Sequence, residues 1–226
     1  MSLNLVERID DRVALRHALI SVSDKTGLDA FIPALLRTAP GIRLYSTGGT
    51  YTALRALLGA QAESALIPVS AYTGQPEMQG GLVKTLDFKI YLGLLSETYN
   101  AAHQADLTRT GAVAFDLVVA NLYPFRQAVS RPDATPESAR THIDIGGPCM
   151  VRASAKNYLR VASVTDPADY PALAAELAAH GGTLGLATRA RLMRKAFRHT
   201  ADYDAAIAAF FSATEDAAIR NVYALS

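Results

Sequence analysis

Ala18-Leu-Ile-Ser-Val-Ser-Asp-Lys-Thr-Gly27 opens with a short apolar run and ends in a turn of hydroxyls, a lysine and a glycine. A run of that kind is typical of a strand buried in a parallel sheet. The apolar stretch reaches back to Val13, and residues 1–12 read as a polar arm ahead of it. Leu28 to Leu36 then has helical spacing, and Ser23 or Asp24 can cap that helix while other N–H groups stay free at its start. Gly41 to Tyr45, Ser46-Thr-Gly-Gly-Thr50 and Thr52 to Leu58 repeat the strand, the turn and the helix. Two such units in succession predict an α/β fold with a parallel sheet. Both turns would lie at the carboxyl ends of strands, where open α/β sheets bind ligands. Hydroxyls, glycine amides and Lys25 together suit a phosphate, although a Ser/Thr/Gly turn can also be no more than a well-made turn.

Downstream, residues 64–81 form a glycine-rich, irregular loop that leads to Lys84 among apolar neighbours. A lysine there is a surface residue on an edge strand unless the loop covers a ligand. Ala112 to Asn121 reads as another buried strand, stopped by Pro124, which biases Tyr123 towards an extended backbone. Tyr123 is then either core packing or a ligand-facing hydroxyl. His142-Ile-Asp-Ile-Gly-Gly-Pro-Cys-Met-Val-Arg-Ala-Ser-Ala-Lys-Asn157 places an extended end around Asp144, a glycine turn, a helix start and two cations, Arg152 and Lys156, on one helical face. Such a turn can present N–H groups to an anion or a carbonyl, or can simply start a capped helix with a solvated basic face. Tyr158 to Val164 reads as a strand and Pro171 to Ala179 as a helix that Gly181-Gly182 breaks. Thr188 to Ser212 is a long packing helix with salt bridges.

The 226 residues, half of them hydrophobic, suit one large domain, here residues 13–226 with C-terminal helices. A net charge of +1 without a Lys/Arg-rich run gives no nucleic-acid footprint. Cys149 is the only cysteine and the five histidines are scattered, so neither a disulfide nor a metal site is expected. There is no apolar run of membrane-spanning length and no signal peptide at the N-terminus, which predicts a soluble, cytoplasmic protein.

Taken together, several motifs resemble the IMP cyclohydrolase domain of the bifunctional purine-biosynthesis protein, which also carries an AICAR formyltransferase domain. They are Ile20-Ser-Val-Ser-Asp-Lys-Thr-Gly27, Ser46-Thr-Gly-Gly-Thr50, Tyr72-Thr-Gly-Gln-Pro-Glu-Met78, Val83-Lys-Thr-Leu86 and Asn121-Leu-Tyr-Pro-Phe125. Ile143-Asp-Ile-Gly-Gly147, Arg152-Ala-Ser-Ala-Lys-Asn157 and Lys195-Ala-Phe-Arg-His-Thr-Ala-Asp-Tyr-Asp204 complete the series, which covers about residues 14–210. The resemblance implies a methylglyoxal-synthase-like, three-layer α/β fold with a mostly parallel sheet and a C-terminal helical extension. It implies ring closure of 5-formamidoimidazole-4-carboxamide ribonucleotide to IMP with loss of water, without a metal or cofactor. A homodimer, and a formyltransferase working separately from this chain, are expected alongside.

By the same resemblance, Ser23, Lys25, Thr47, Gly48 and Thr50 would hold the 5′-phosphate, and Thr85, Asn121, Ile145 and Gly146 would complete the substrate site. Lys84, Tyr123, Asp144 and Lys156 would be catalytic. Lys84 and Tyr123 would move protons around the attacking amide, and Lys156, held by Asp144, would stabilise the formyl oxygen. The chain departs from the family at Leu82, Asp87, Phe88 and Tyr91, where a cation, His, Pro and His are usual, and these changes point to altered substrate choice or reduced activity. One alternative is therefore a paralogue that closes a purine-analogue ring, such as a pyrazole C-nucleotide in nucleoside antibiotic biosynthesis. Others are a non-catalytic purine-nucleotide-binding module and, last, methylglyoxal synthase itself, which should lack the 121–125 and 143–147 motifs.

Overall fold

The computed structural model of the chain describes residues 5–76 and 84–224. Strand β1 (Arg12–Ala14) is followed by β2 (His17–Val22), helix α1 (Leu28–Thr38), β3 (Arg43–Ser46) and α2 (Gly48–Leu58). The short helices α3 (Ala62–Ala65) and α4 (Val69–Thr73) flank β4 (Leu66–Pro68). Next come α5 (Phe88–Leu95), α6 (Ala101–Thr110), β5 (Leu117–Asn121), α7 (Phe125–Val129), α8 (Pro136–Thr141) and α9 (Gly146–Lys156). The chain closes with β6 (Ala162–Val164), α10 (Tyr170–Ala179), β7 (Thr183–Gly185), α11 (Leu186–Ser212) and α12 (Asp216–Arg220).

Five strands form one parallel sheet in the order β4-β3-β2-β5-β6. Central β2 carries apolar residues on both faces, because helices cover both. Ala18, Ile20 and Val22 pack with α1, α2 and α10, while Leu19 points to the cluster built by α5 and α9. Ile20 is fully buried, and truncating such a side chain to alanine costs about 2–5 kcal/mol. The long helix α11 joins both layers through Leu192 and Ala196, and its second half packs Tyr203 and Ala206 on α7 and α8. The parallel sheet and the helical extension match what the two turns and the resemblance predict.

Three local readings change. The apolar stretch 13–22 is two strands, since β1 pairs antiparallel with β7 and the chain reverses through Leu15 and Arg16 before β2. The buried Arg189 fixes this corner by donating to the carbonyls of Asp10, Asp11, Tyr158, Leu159 and Leu184. That grip also explains why only Ala162–Val164 of the expected strand 158–164 joins the sheet. The carbonyls of Tyr158 and Leu159 are already taken, and Arg160 is turned inward to Asp116 and to the carbonyls of Gly93 and Phe115. Finally, Ile143–Ile145 is not a strand end, and Ile145 already has helical angles as the chain enters α9.

Candidate functional site

The carboxyl edge of the sheet gathers most of the expected residues, in three neighbourhoods. The first is the turn from β3 into α2. Thr47 is the N-cap of α2 but makes no side-chain cap, and the Gly48 and Gly49 amides donate to nothing among the described residues. Free amides at the start of an eleven-residue helix favour an anion. Gly48 has φ +48°, and a Cβ there would stand 3.1 Å from the Lys84 ammonium. Only glycine takes that backbone angle without strain. Lys84 is thus brought over the turn, as it would be if it served a ligand, and a cavity of about 250 Å³ opens beside it. Ser70, Thr52 and Gln75 line this cavity too; Gln75 lies in the 72–78 motif without having been singled out, and Thr52 and Ser70 sit within helices α2 and α4, outside any turn motif.

Thr50 does not offer its hydroxyl to a ligand. The hydroxyl accepts from the Val22 amide and donates to the Val22 carbonyl, both at 3.0 Å, so Thr50 fastens the turn to β2.

The second neighbourhood is the start of α9. Asp144 accepts from the Gly147 amide at 2.9 Å, and its own amide donates to the Tyr203 hydroxyl at 2.7 Å. A Cβ on Gly147 would come within 2.4 Å of the Asp144 carboxylate, so glycine is required for this approach. Burial pushes the Asp144 carboxyl above the usual carboxylate range, partly offset by the amides of Gly147 and Tyr123. Tyr123 is 53% exposed and Ile145 58%, which makes both available to a ligand and rules out core packing for Tyr123. Thr85, next to Lys84, is buried against Gly146, where a Cβ would stand 2.7 Å from the Thr85 hydroxyl. Residues 84 and 85 therefore tie the first neighbourhood to the second. Tyr203, which props the Asp144 loop, belongs to the 195–204 motif, part of the family resemblance but given no site role in the sequence, where it reads as a packing helix.

The third neighbourhood is the turn after β2. Asn121 accepts from the amides of Ser23 and Asp24 at 2.7 and 2.9 Å and donates to the Asp24 carbonyl at 2.8 Å. Asn121 is thus engaged with backbone and holds the turn, where a contact with the substrate was expected. Asp24 accepts from the amide and hydroxyl of Thr26, and the exposed Lys25 reaches back to the Ser23 carbonyl at 3.4 Å. Ser23 faces a separate cleft of about 690 Å³ shared with Lys195, Arg198 and His199. Lys195 is paired with Asp166 and Asp169, as expected of a packing helix with salt bridges.

Within one chain, Lys156 stands apart from Asp144. It ends α9, which starts at Gly146, and eleven residues at 1.5 Å each put it about 15 Å from the Asp144 end. It is exposed, and among the described residues it forms no ion pair, so the expected Asp144–Lys156 contact is absent within one chain. Neighbouring Asn157 donates to the carbonyls of Leu94 and Ser96, and Arg160 pairs with Asp116, which precedes β5. These contacts mark the opposite, amino edge of the sheet.

Of the four departures, Leu82 lies outside the described residues. Asp87 caps α5, Phe88 is 62% exposed, and the Tyr91 hydroxyl is buried against Cys149. Among the described residues, no group of His, Cys, Asp and Glu could hold a metal, and no helix is long and apolar enough to cross a membrane.

A parallel α/β sheet with an open anion-binding turn at its carboxyl edge defines the class, and the comparisons agree: the chain belongs to the family of MGS-like domains, whose family model matches residues 33–149. The model of the AICARFT/IMPCHase bienzyme matches residues 154–226. The bifunctional purine biosynthesis protein PurH of Neisseria meningitidis serogroup A / serotype 4A is 47% identical over 203 residues, covering 90% of this chain and 37% of that protein. PurH of Sorangium cellulosum is 48% identical over 88% of this chain and 36% of its own length. The chain thus spans little more than a third of the curated relatives it matches. A crystal structure of ForH aligns with a TM-score of 0.72 and 32% identity, over 88% of this chain and 100% of that one. The resemblance read from the motifs holds across nearly the whole chain.

Proposed function

We propose that the chain is a cyclohydrolase of the IMP cyclohydrolase type, which closes the ring of 5-formamidoimidazole-4-carboxamide ribonucleotide and releases water to give IMP. One observation carries the reading: the Lys84 ammonium hangs over the open Gly48 turn, at the same sheet edge as the Asp144–Tyr123 pair. Identity of 47% with a purine biosynthesis protein over 90% of this chain supports it.

The uncapped amides of Gly48 and Gly49, with Thr47 and Lys84, suit the 5′-phosphate. That assignment moves Lys84 to the phosphate side and leaves proton movement to Asp144 and Tyr123. A carboxyl whose affinity for protons is raised by burial is suited to act as both base and acid. Asp144 takes a proton from the carboxamide nitrogen as it attacks the formyl carbon, and Tyr123 gives one to the formyl oxygen. The resulting hydroxyl leaves as water with the proton from Asp144, and the formamido nitrogen returns its hydrogen to Tyr123. Holding nucleophile and formyl group in contact supplies much of the acceleration, because the reaction is intramolecular.

The protein acts in the cytoplasm as a homodimer, on a substrate that a formyl-transfer reaction supplies. Lys156 takes part only if a second copy of the chain brings it to the site. The test is ring closure of the formamido ribonucleotide followed by ultraviolet absorbance. Turnover that disappears in Lys84→Ala and Asp144→Ala supports the reading, whereas wild-type protein that neither turns over nor binds IMP removes it.

A further inference from the structure

Asp87 immediately precedes α5, and its side chain is buried. A buried carboxylate is tolerated only when its oxygens are bonded. One oxygen accepts from the Lys89 amide at 2.8 Å, an ordinary helix cap. The other accepts from the Gln75 side-chain amide, also at 2.8 Å, and no helix requires that bond. It joins positions twelve apart across the span that carries Lys84. Gln75 is itself held through its main chain, since its backbone N–H donates at 3.2 Å to the Thr73 hydroxyl, which donates to the Val69 carbonyl within α4. Gln75, Pro76 and Lys84 all line the cavity beside Gly48. The fastening therefore runs from α4 through Gln75 and Asp87 to α5, and its α4 and Gln75 end forms part of the cavity wall.

We propose that the Gln75–Asp87 hydrogen bond is a clasp that sets the width of the Lys84 cavity and the reach of its ammonium, making Asp87 a positioning residue for nucleotide binding. Asp87 touches no substrate and acts through Gln75 and Lys84. Tying Gln75 to Asp87 narrows the positions open to Lys84, three residues before Asp87. Asp87 is one of the positions at which the chain departs from the family it resembles, so the clasp belongs to this chain's own way of fitting its ligand. The identity of that ligand rests on the ring-closure reading; the clasp itself does not.

The experiment combines Gln75→Ala, Asp87→Ala, the double variant and Asp87→Asn, all in the full chain. Gln75→Ala leaves the helix cap intact, and Asp87→Asn keeps the cap acceptor while its new side-chain NH2 donates to the Gln75 oxygen once the Gln75 amide turns over. Either alanine variant raises KM for the formamido ribonucleotide about tenfold, as expected for one lost hydrogen bond to a charged group, with kcat little changed. The double variant is no worse than the worse single, because both remove the same bond. Asp87→Asn stays near wild type. Amide exchange at residues 72–76 quickens in Gln75→Ala and Asp87→Ala without any ligand present. Unchanged KM in Gln75→Ala, or additive losses in the double variant, overturn the clasp. If wild-type protein neither turns over nor binds IMP, the ring-closure reading fails, and the exchange measurement alone decides whether the clasp exists.

Discussion

The turns after β2 and β3 are adjacent, similar in composition and opposite in behaviour. Five residues, Ser23 to Gly27, separate β2 from α1, and their polar groups are largely engaged with one another and with Asn121. Only Thr47 separates β3 from α2, and the amides that follow it are open. The longer turn satisfies its own backbone, and a ligand would have to break those bonds. In the shorter turn Thr47 is of the capping type but turns its hydroxyl to that of Ser21 at 3.2 Å, which leaves the first helical amides for a guest. Turn chemistry alone does not make an anion site; what matters is whether the donors remain unpaired after folding.

The sharpest way to break this contrast is Lys84→Ala, which removes the only cation beside the open turn among the residues lining its cavity. It should lower kcat/KM by about a hundredfold or more, the scale of losing one charged stabilising group. Steady-state kinetics checks this, and a near-normal rate would shift the anion site to the Ser23 turn. Gly48→Ala is next, since its Cβ would crowd the Lys84 ammonium and strain a left-handed backbone. Calorimetry should find IMP bound about tenfold more weakly, a loss of roughly 1.4 kcal/mol.

Asn121→Ala should act on stability more than on affinity. It removes three bonds to the Ser23 turn, and unfolding in urea should report a loss of about 1–3 kcal/mol. A large rise in the nucleotide dissociation constant without a stability change would reverse the roles of the two turns.

Asp144 gives a pH signature. Its carboxyl holds a proton more readily folded than unfolded, so it costs stability as pH rises through its folded pKa and costs nothing below the unfolded value. Asp144→Asn should therefore melt higher than wild type at neutral pH, with the gap closing in acid, while turnover falls. The smallest effect belongs to Lys156→Ala, which should leave IMP affinity within about threefold, given the roughly 15 Å that α9 spans. A larger loss would mean that a second copy supplies the lysine, and mixing with Lys84→Ala chains would then restore turnover.

The repeated strand and turn units were legible because Ala18–Val22 and Leu117–Asn121 are apolar on both faces, a pattern few other environments produce. The grouping of Asp144, Gly146 and Gly147 was legible because it is local. The difference between the two turns was not, since Asn121 reaches Asp24 from 97 residues away. The displacement of Lys156 was hidden for the opposite reason. It lies close to Asp144 in sequence, and a straight helix turns that closeness into distance. β7 is three residues long and leaves no periodic trace.

The corner gripped by Arg189 has a consequence for the order in which the molecule is made. β1 leaves the ribosome early, but its partner β7 and Arg189 itself come some 170 residues later. At roughly 5–20 residues per second, the arm waits on the order of ten seconds or more without its partners. β2 and β3 meanwhile need only each other and α1 and α2 to begin packing. β1 is thus synthesised well before it can dock, and the sheet edge that carries the site can take shape before the corner gripped by Arg189 is closed.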